Sequence, residues 1–99
     1  MRDFILIMHN DAEQADQIVD SSWADYFQSL KSQGAFIAGV EFGDGFCMVK
    51  KKPAPPPTSM LGRYIRVQAR TMRDAAQLVE GNPIFEAGGT VEVRALTRQ

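Results

Sequence analysis

GNPIFEAGGTVEVRAL, residues 81–96, sets a helix stop, a turn and an alternating strand in one short run. Gly81-Asn82-Pro83 is the stop: glycine serves the left-handed turn that ends a helix, and proline cannot continue one. Just upstream, Met72, Ala75, Ala76 and Val79 recur at three- and four-residue steps, the apolar stripe of a helix lying on a core. Thr71 with Asp74 supplies its capped start. Downstream, Val91, Val93 and Ala95 share one side of an extended segment while Glu92 and Arg94 point to the other, the period of a half-buried strand.

The same alternation precedes the helix. From Gly62 to Ala69, Ile65, Val67 and Ala69 lie on one side and Tyr64, Arg66 and Gln68 on the other. Phe4 to Met8 is an unbroken apolar run, short and isoleucine-bearing, which predicts a strand buried on both faces. Ala15, Ile18, Val19, Trp23, Tyr26, Phe27 and Leu30 form a second helical stripe that stops at Gly34. Ser21 or Ser22 offers a cap for a fresh start inside it, so the pattern fits one long helix or a turn followed by a helix from about residue 22. Ala35 to Val40 reads as a strand ending near Glu41. Gly43-Asp44-Gly45 is a turn signal, and Phe46 to Lys50 reads as a second short strand, a candidate hairpin partner. KKKPAPPPTS, residues 50–59, cannot enter a sheet interior and is expected to be an extended surface connection.

The element order is therefore β-α-β(-β)-β-α-β, the split βαβ or ferredoxin-like arrangement of the α+β class, with an antiparallel sheet and two helices on one face. At 99 residues the chain is expected to be one domain, 1–99. A chain of this size buries roughly 65% of its extended surface, enough for one modest core. The net charge of −1 and a pI near 5.7 argue against nucleic acid as a partner. The ferredoxin-like order is shared with RNA-recognition domains, but those need stacked aromatics on the third strand, and "GRYIRVQA" offers Tyr64 alone. The single cysteine, Cys47, excludes an internal disulfide and suits a reducing cytoplasm. The apolar run near the start is too short for a signal segment, and no stretch approaches a membrane span.

Two helices cover one face of such a sheet. The other face must carry Tyr64, Arg66, Gln68, Glu92 and Arg94 with alternate apolar residues of the first strand. That mixture is too apolar at its centre to stay wet and too polar to be a sealed core. Covering by a second copy, giving a barrel-like homodimer, answers both demands; the plainer alternative is a solvated face, common in antiparallel sheets.

Residues 61–96 resemble the YCII-related and DGPF proteins, small dimeric domains of the dimeric alpha-beta barrel group. The likeness rests on "GRY" entering a strand, the helix "TMRDAAQLVEGNP" and the closing "GGTVEVRAL". "FILIMHND" is similar to the family's opening strand and "LKSQGAFIAGVEF" to its helix end, glycine and second strand. The Asp-Gly-Pro-Phe signature of the DGPF branch is missing. The YCII branch has a histidine early in the first long helix and an aspartate before the proline after the second. Trp23 and Asn82 stand at those places here. The resemblance implies a dimeric α-β barrel and a small organic ligand, with no established reaction, and leaves open whether the chain is an enzyme.

Candidate site residues follow. His9, the one histidine, ends the first strand beside Asn10 and Asp11 and is a candidate base with Asp11 as its orienter. Its bland reading is a loop histidine. Glu41 lies where DGPF-like proteins carry a glutamate and is a candidate for the barrel mouth. Tyr64, Arg66 and Arg94 share the helix-free face, where arginines under a dimer lid would clamp a small carboxylate or phosphate. The competing reading is an intersubunit ion pair with Glu92. Trp23, Tyr26 and Phe27 belong to the core, Cys47 reads as a small buried hydrophobe, and Lys50 to Pro57 as a rigid surface loop. Nothing has metal-ligand or phosphate-loop spacing, so no metal or cofactor is expected. Two functions compete: a dimeric small-molecule binder, enzymatic or not, and a non-catalytic dimeric interaction or accessory module. A cavity with converging polar groups near His9, Tyr64 and Arg66 is what would separate them.

Overall fold

In the computed structural model, which describes residues 1–97, the chain runs β1 (Arg2–His9), a 3-10 turn (Ala15–Gln17), α1 (Asp20–Ser32), β2 (Phe36–Glu41), β3 (Leu61–Ala69), α2 (Met72–Gln77), α3 (Pro83–Glu86) and β4 (Val91–Ala95). All neighbouring strands are antiparallel and the sheet order is β2-β3-β1-β4. This is the expected ferredoxin-like order, with the first and third strands at the centre.

The central strands bury one face because of how their side chains line up. Leu6 stands opposite Ile65 on one side and Val93 on the other, and Phe4 opposite Val67 and Ala95. Phe4, Leu6, Met8, Ile65 and Val67 are fully buried under Tyr26 and Leu30 of α1 and Ala75 of α2. Each such side chain contributes about 1.5–3 kcal/mol relative to exposure. Ile5 and Ile7 lie on the opposite face and are only half-buried. That face also carries Val40, Tyr64, Arg66, Gln68, Glu92 and Arg94, as the alternation predicts, with Ile7 between Tyr64 and Glu92 and Ile5 between Arg66 and Arg94.

Of the two patterns that fit the first stripe, the structure has the turn followed by a helix, beginning at Asp20, and it differs from the sequence reading after Gly81. The long apolar stripe from Ala15 to Leu30 is not one helix. The chain makes a single 3-10 turn, runs extended through Ile18 and Val19, and enters α1 at Asp20. Neither Ser21 nor Ser22 caps it. The acid in the first turn, which complements the positive end of the helix dipole, stands in for a side-chain cap. The difference after Gly81 is α3. The residues after Gly81 form a further helical turn because Asn82 accepts from the Ile84 and Phe85 backbone N–H groups at 3.0 and 3.2 Å and Pro83 sits at the first helical position. Elsewhere the punctuation acts as expected: Thr71 Oγ1 accepts from Asp74 N at 3.1 Å, and Gly34 and Gly81 take φ of +69° and +86°, conformations that cost other residues a clash.

The strand expected at Phe46–Lys50 does not form; residues 42–60 contain neither strand nor helix. β2 is the sheet's edge, so a hairpin partner would have been an outermost strand supported on one side only, bracketed by glycines and by four prolines that donate nothing to a ladder. Phe46 and Met48 are instead 81% and 85% exposed, and Cys47 is half-buried in this loop rather than in a buried strand. No described helix is long and apolar enough to cross a membrane.

Candidate functional site

The alternation that sends Ile65 and Val67 toward the helices also sends Arg63 there, one step nearer the start of β3. At that level the sheet runs out from under the helices. Arg63 stands opposite Met8 of β1 and Glu41 of β2. Trp23, in the first turns of α1, covers it: the guanidinium carbon lies 4.0 Å from the Trp23 ring centroid and 5.9 Å from that of Phe27. This is the distance range of a cation–π contact, which arginine makes with its flat face. Arg63 Nη2 donates to Glu41 Oε1 at 2.5 Å. The pair is unequal, since the Arg63 side chain is 18% exposed and that of Glu41 72%.

Beside this pair is a cavity of about 150 Å³ whose walls come from Met8, His9 and Asn10 at the end of β1, Trp23, Glu41, Gly62, Arg63 and Ile84 of α3. Asn10 fastens its rim. Its backbone N–H donates to Met60 O at 2.7 Å and its Nδ2 to Ser59 O at 2.8 Å, tying the end of the proline loop to β1. Gly62 leaves room for this contact: a Cβ there would meet Asn10 Oδ1, and the Asn10 side chain would have to shift. A larger hollow of about 250 Å³ lies between the 3-10 turn and α3. Its one ionisable wall residue, Glu86, already accepts from Gly81 N at 3.0 Å, so the chemistry converges in the smaller cavity.

The sequence-predicted residues separate into two groups. His9 and Glu41 line the cavity. Tyr64, Arg66 and Arg94 do not; the sheet stands between them and it. Tyr64 stacks on Phe42 at 5.5 Å, Arg66 lies 3.6 Å from Asp3 Oδ2 with its Nε buried and unpartnered, and Arg94 Nε is 2.9 Å from Glu92 Oε2. Asp11 is not the partner of His9. It accepts from the Thr90 backbone N–H at 2.8 Å and hydroxyl at 2.6 Å, bonds that hold its carboxyl below the usual range, the hydroxyl first. The carboxylate facing His9 is Glu92, 3.1 Å from Nε2. Among the described residues, no three or more His, Cys, Asp or Glu side chains gather closely enough to hold a metal ion.

Trp23 and Asn82 have clear structural work. Trp23 packs edge-on to Tyr26 and lies against Phe27 while roofing Arg63. Asn82 is fully buried and caps α3 through its Oδ1, while its Nδ2 has no hydrogen-bond partner among the described residues. The Tyr26 hydroxyl donates to Leu78 O at 2.6 Å, and burial raises its pKa. The group that sequence reasoning missed is Arg63. Its signal was available: an arginine in phase with Ile65 and Val67 belongs on the buried side of its strand and needs a partner there.

No family model matches the chain, and no curated protein matches it. Among solved structures it is similar to 5-chloro-2-hydroxyhydroquinone dehydrochlorinase (TftG) from Burkholderia phenoliruptrix AC1100 in complex with 2,5-dihydroxybenzoquinone. The TM-score is 0.61 at 19% identity, over 98% of this chain and 95% of that one. At this identity the likeness establishes a shared fold.

Proposed function

We propose that this chain is a YCII-like protein that binds a small organic molecule in the cavity between the end of the sheet, α1 and α3. The observation that carries this reading is the convergence of Arg63, Glu41 and Asn10 on a cavity walled by Trp23, Met8 and Ile84, with His9 at its rim. An aromatic and aliphatic wall with a few placed polar groups is the usual make-up of a ligand site. That a protein of the same fold is complexed with 2,5-dihydroxybenzoquinone supports a small cyclic molecule as the kind of ligand. The reading leaves catalysis unassigned, because His9, the candidate base, faces Glu92 rather than Asp11 and Trp23 and Asn82 carry no titratable group for general-base work. Native mass spectrometry of the protein as purified, with thermal-shift screening of small cyclic compounds, tests it. A saturable ligand lost on Trp23→Ala in a folded protein supports it; a cavity that takes nothing in either assay removes it.

The same reading includes a homodimer in the cytoplasm, joined through the helix-free face of the sheet. Ile5, Ile7, Val40 and Phe42 form an apolar centre there, flanked by Arg66, Glu92 and Arg94. Size-exclusion chromatography with light scattering should give twice the chain mass at micromolar concentration. The alternative, an interaction module, is favoured by one feature, the bare Phe46 and Met48 of the 42–60 loop. It predicts a protein partner lost on Phe46→Ser with the cavity's ligand binding unchanged.

A further inference from the structure

We propose that the cavity is an anion site for a single planar ring, in which Arg63 is the docking group and Glu41 is a resident counter-ion that the ligand displaces. The inference rests on the pocket reading above and names its ligand class: a one-ring compound bearing a carboxylate or an acidic ring hydroxyl.

Three observations carry it. First, Arg63 is a mostly buried cation with one exposed partner. Among the described residues its side chain hydrogen-bonds to Glu41 alone, and the Glu41 side chain is 72% exposed. An ion pair with so exposed a carboxylate is worth little and is readily exchanged for another anion. The guanidinium has five N–H donors in a planar fork, suited to two-pronged pairing with a carboxylate, and most of them are not engaged by Glu41. Second, the fork is pre-set. Trp23 lies 4.0 Å from the guanidinium carbon and Phe27 5.9 Å, so the group is held between aromatic rings and little rotational freedom is lost when an anion binds. Third, the space is right for one ring. A cavity of about 150 Å³ accommodates a benzene-sized molecule, and here Met8 and Ile84 supply apolar walls for its body while Arg63 meets its charged edge. The swap is carboxylate for carboxylate at one guanidinium, so the charge balance of the site is unchanged when Glu41 swings into solvent.

Trp23 is the chain's one tryptophan, so its fluorescence reports directly on the cavity. The probes are benzoate and its neutral isostere benzamide, with binding confirmed by calorimetry. Benzoate should perturb Trp23 saturably and bind at least about tenfold more tightly than benzamide, the discrimination expected from one charge-assisted hydrogen-bonded pair. Glu41→Gln, which removes the competing carboxylate, should tighten benzoate severalfold and so widen the preference for benzoate over benzamide. Arg63→Met keeps the apolar stem and should abolish the preference. Should that variant fail to fold, the benzoate–benzamide contrast and Glu41→Gln decide alone. Equal binding of the two probes, or weaker benzoate binding by Glu41→Gln, overturns the assignment to Arg63 and leaves the pocket reading standing. No saturable binding of either probe to the folded protein overturns both.

Discussion

Asn82 is a buried polar residue whose task is structural. It is fully buried, and its oxygen serves the two N–H groups at the start of α3, which otherwise have no partner. Asn82→Ala should destabilise the protein by about 1–2 kcal/mol in urea unfolding, the usual worth of a helix cap. A change within a few tenths would mean that the cap is replaced by solvent. Asp11 gives a pH-dependent test. Its folded-state pKa is lowered from 3.8, first by the Thr90 hydroxyl and then by the Thr90 N–H. A group with a depressed folded pKa adds stability that is fully present above its unfolded value and lost as pH falls through the folded one. Thr90→Val should therefore be less stable than the parent at neutral pH, with the gap closing as pH drops below 3.8. A gap that stays constant into acid would assign the loss to packing instead.

At the scale of elements, what could be read from the sequence depended on whether local chemistry was enough to specify a segment. Gly34, Gly81 and the Thr71–Asp74 cap are local devices, and they ended and began helices where expected. The alternation of Ile65, Val67 and Ala69 likewise survived because the residues on one side of a strand share one environment. Phe46–Lys50 had strand-like composition but no neighbour to pair with, and composition without a partner makes no strand. The loop it belongs to makes few contacts beyond its ends, where Asn10 holds Ser59 and Met60. Replacing residues 44–57 by a short Gly-Ser turn should change unfolding stability by less than about 1 kcal/mol, since loop-closure entropy varies slowly with length. A loss of several would show that the loop packs on the protein in solution.

For the whole molecule, the consequence of one helical layer is a sheet with a second face to cover. Ile7 sits on that face between Tyr64 and Glu92, half-buried within a single chain. Ile7→Asp should leave the fold intact but place a carboxylate beside Glu92 at the centre of the proposed interface. Desolvating it costs several kcal/mol, enough to weaken a dimer about a hundredfold or more and give a monomer in light scattering. A dimer of unchanged strength would mean that another surface joins the copies. The element order, the helix-facing residues Phe4, Leu6, Ile65 and Val67, and the mixed opposite face are properties of period and punctuation along the chain, and the sequence by itself determined them. The site is different. Arg63, Trp23, Glu41 and His9 are far apart in sequence. Alternation along β3 puts Arg63 on the side of Ile65 and Arg66 on the other, but it does not say what either meets there. Only the tertiary structure decided that Arg63 lies under Trp23 beside a cavity and pairs with Glu41, because strand register and the placing of α1 on the sheet are set by packing over the whole core.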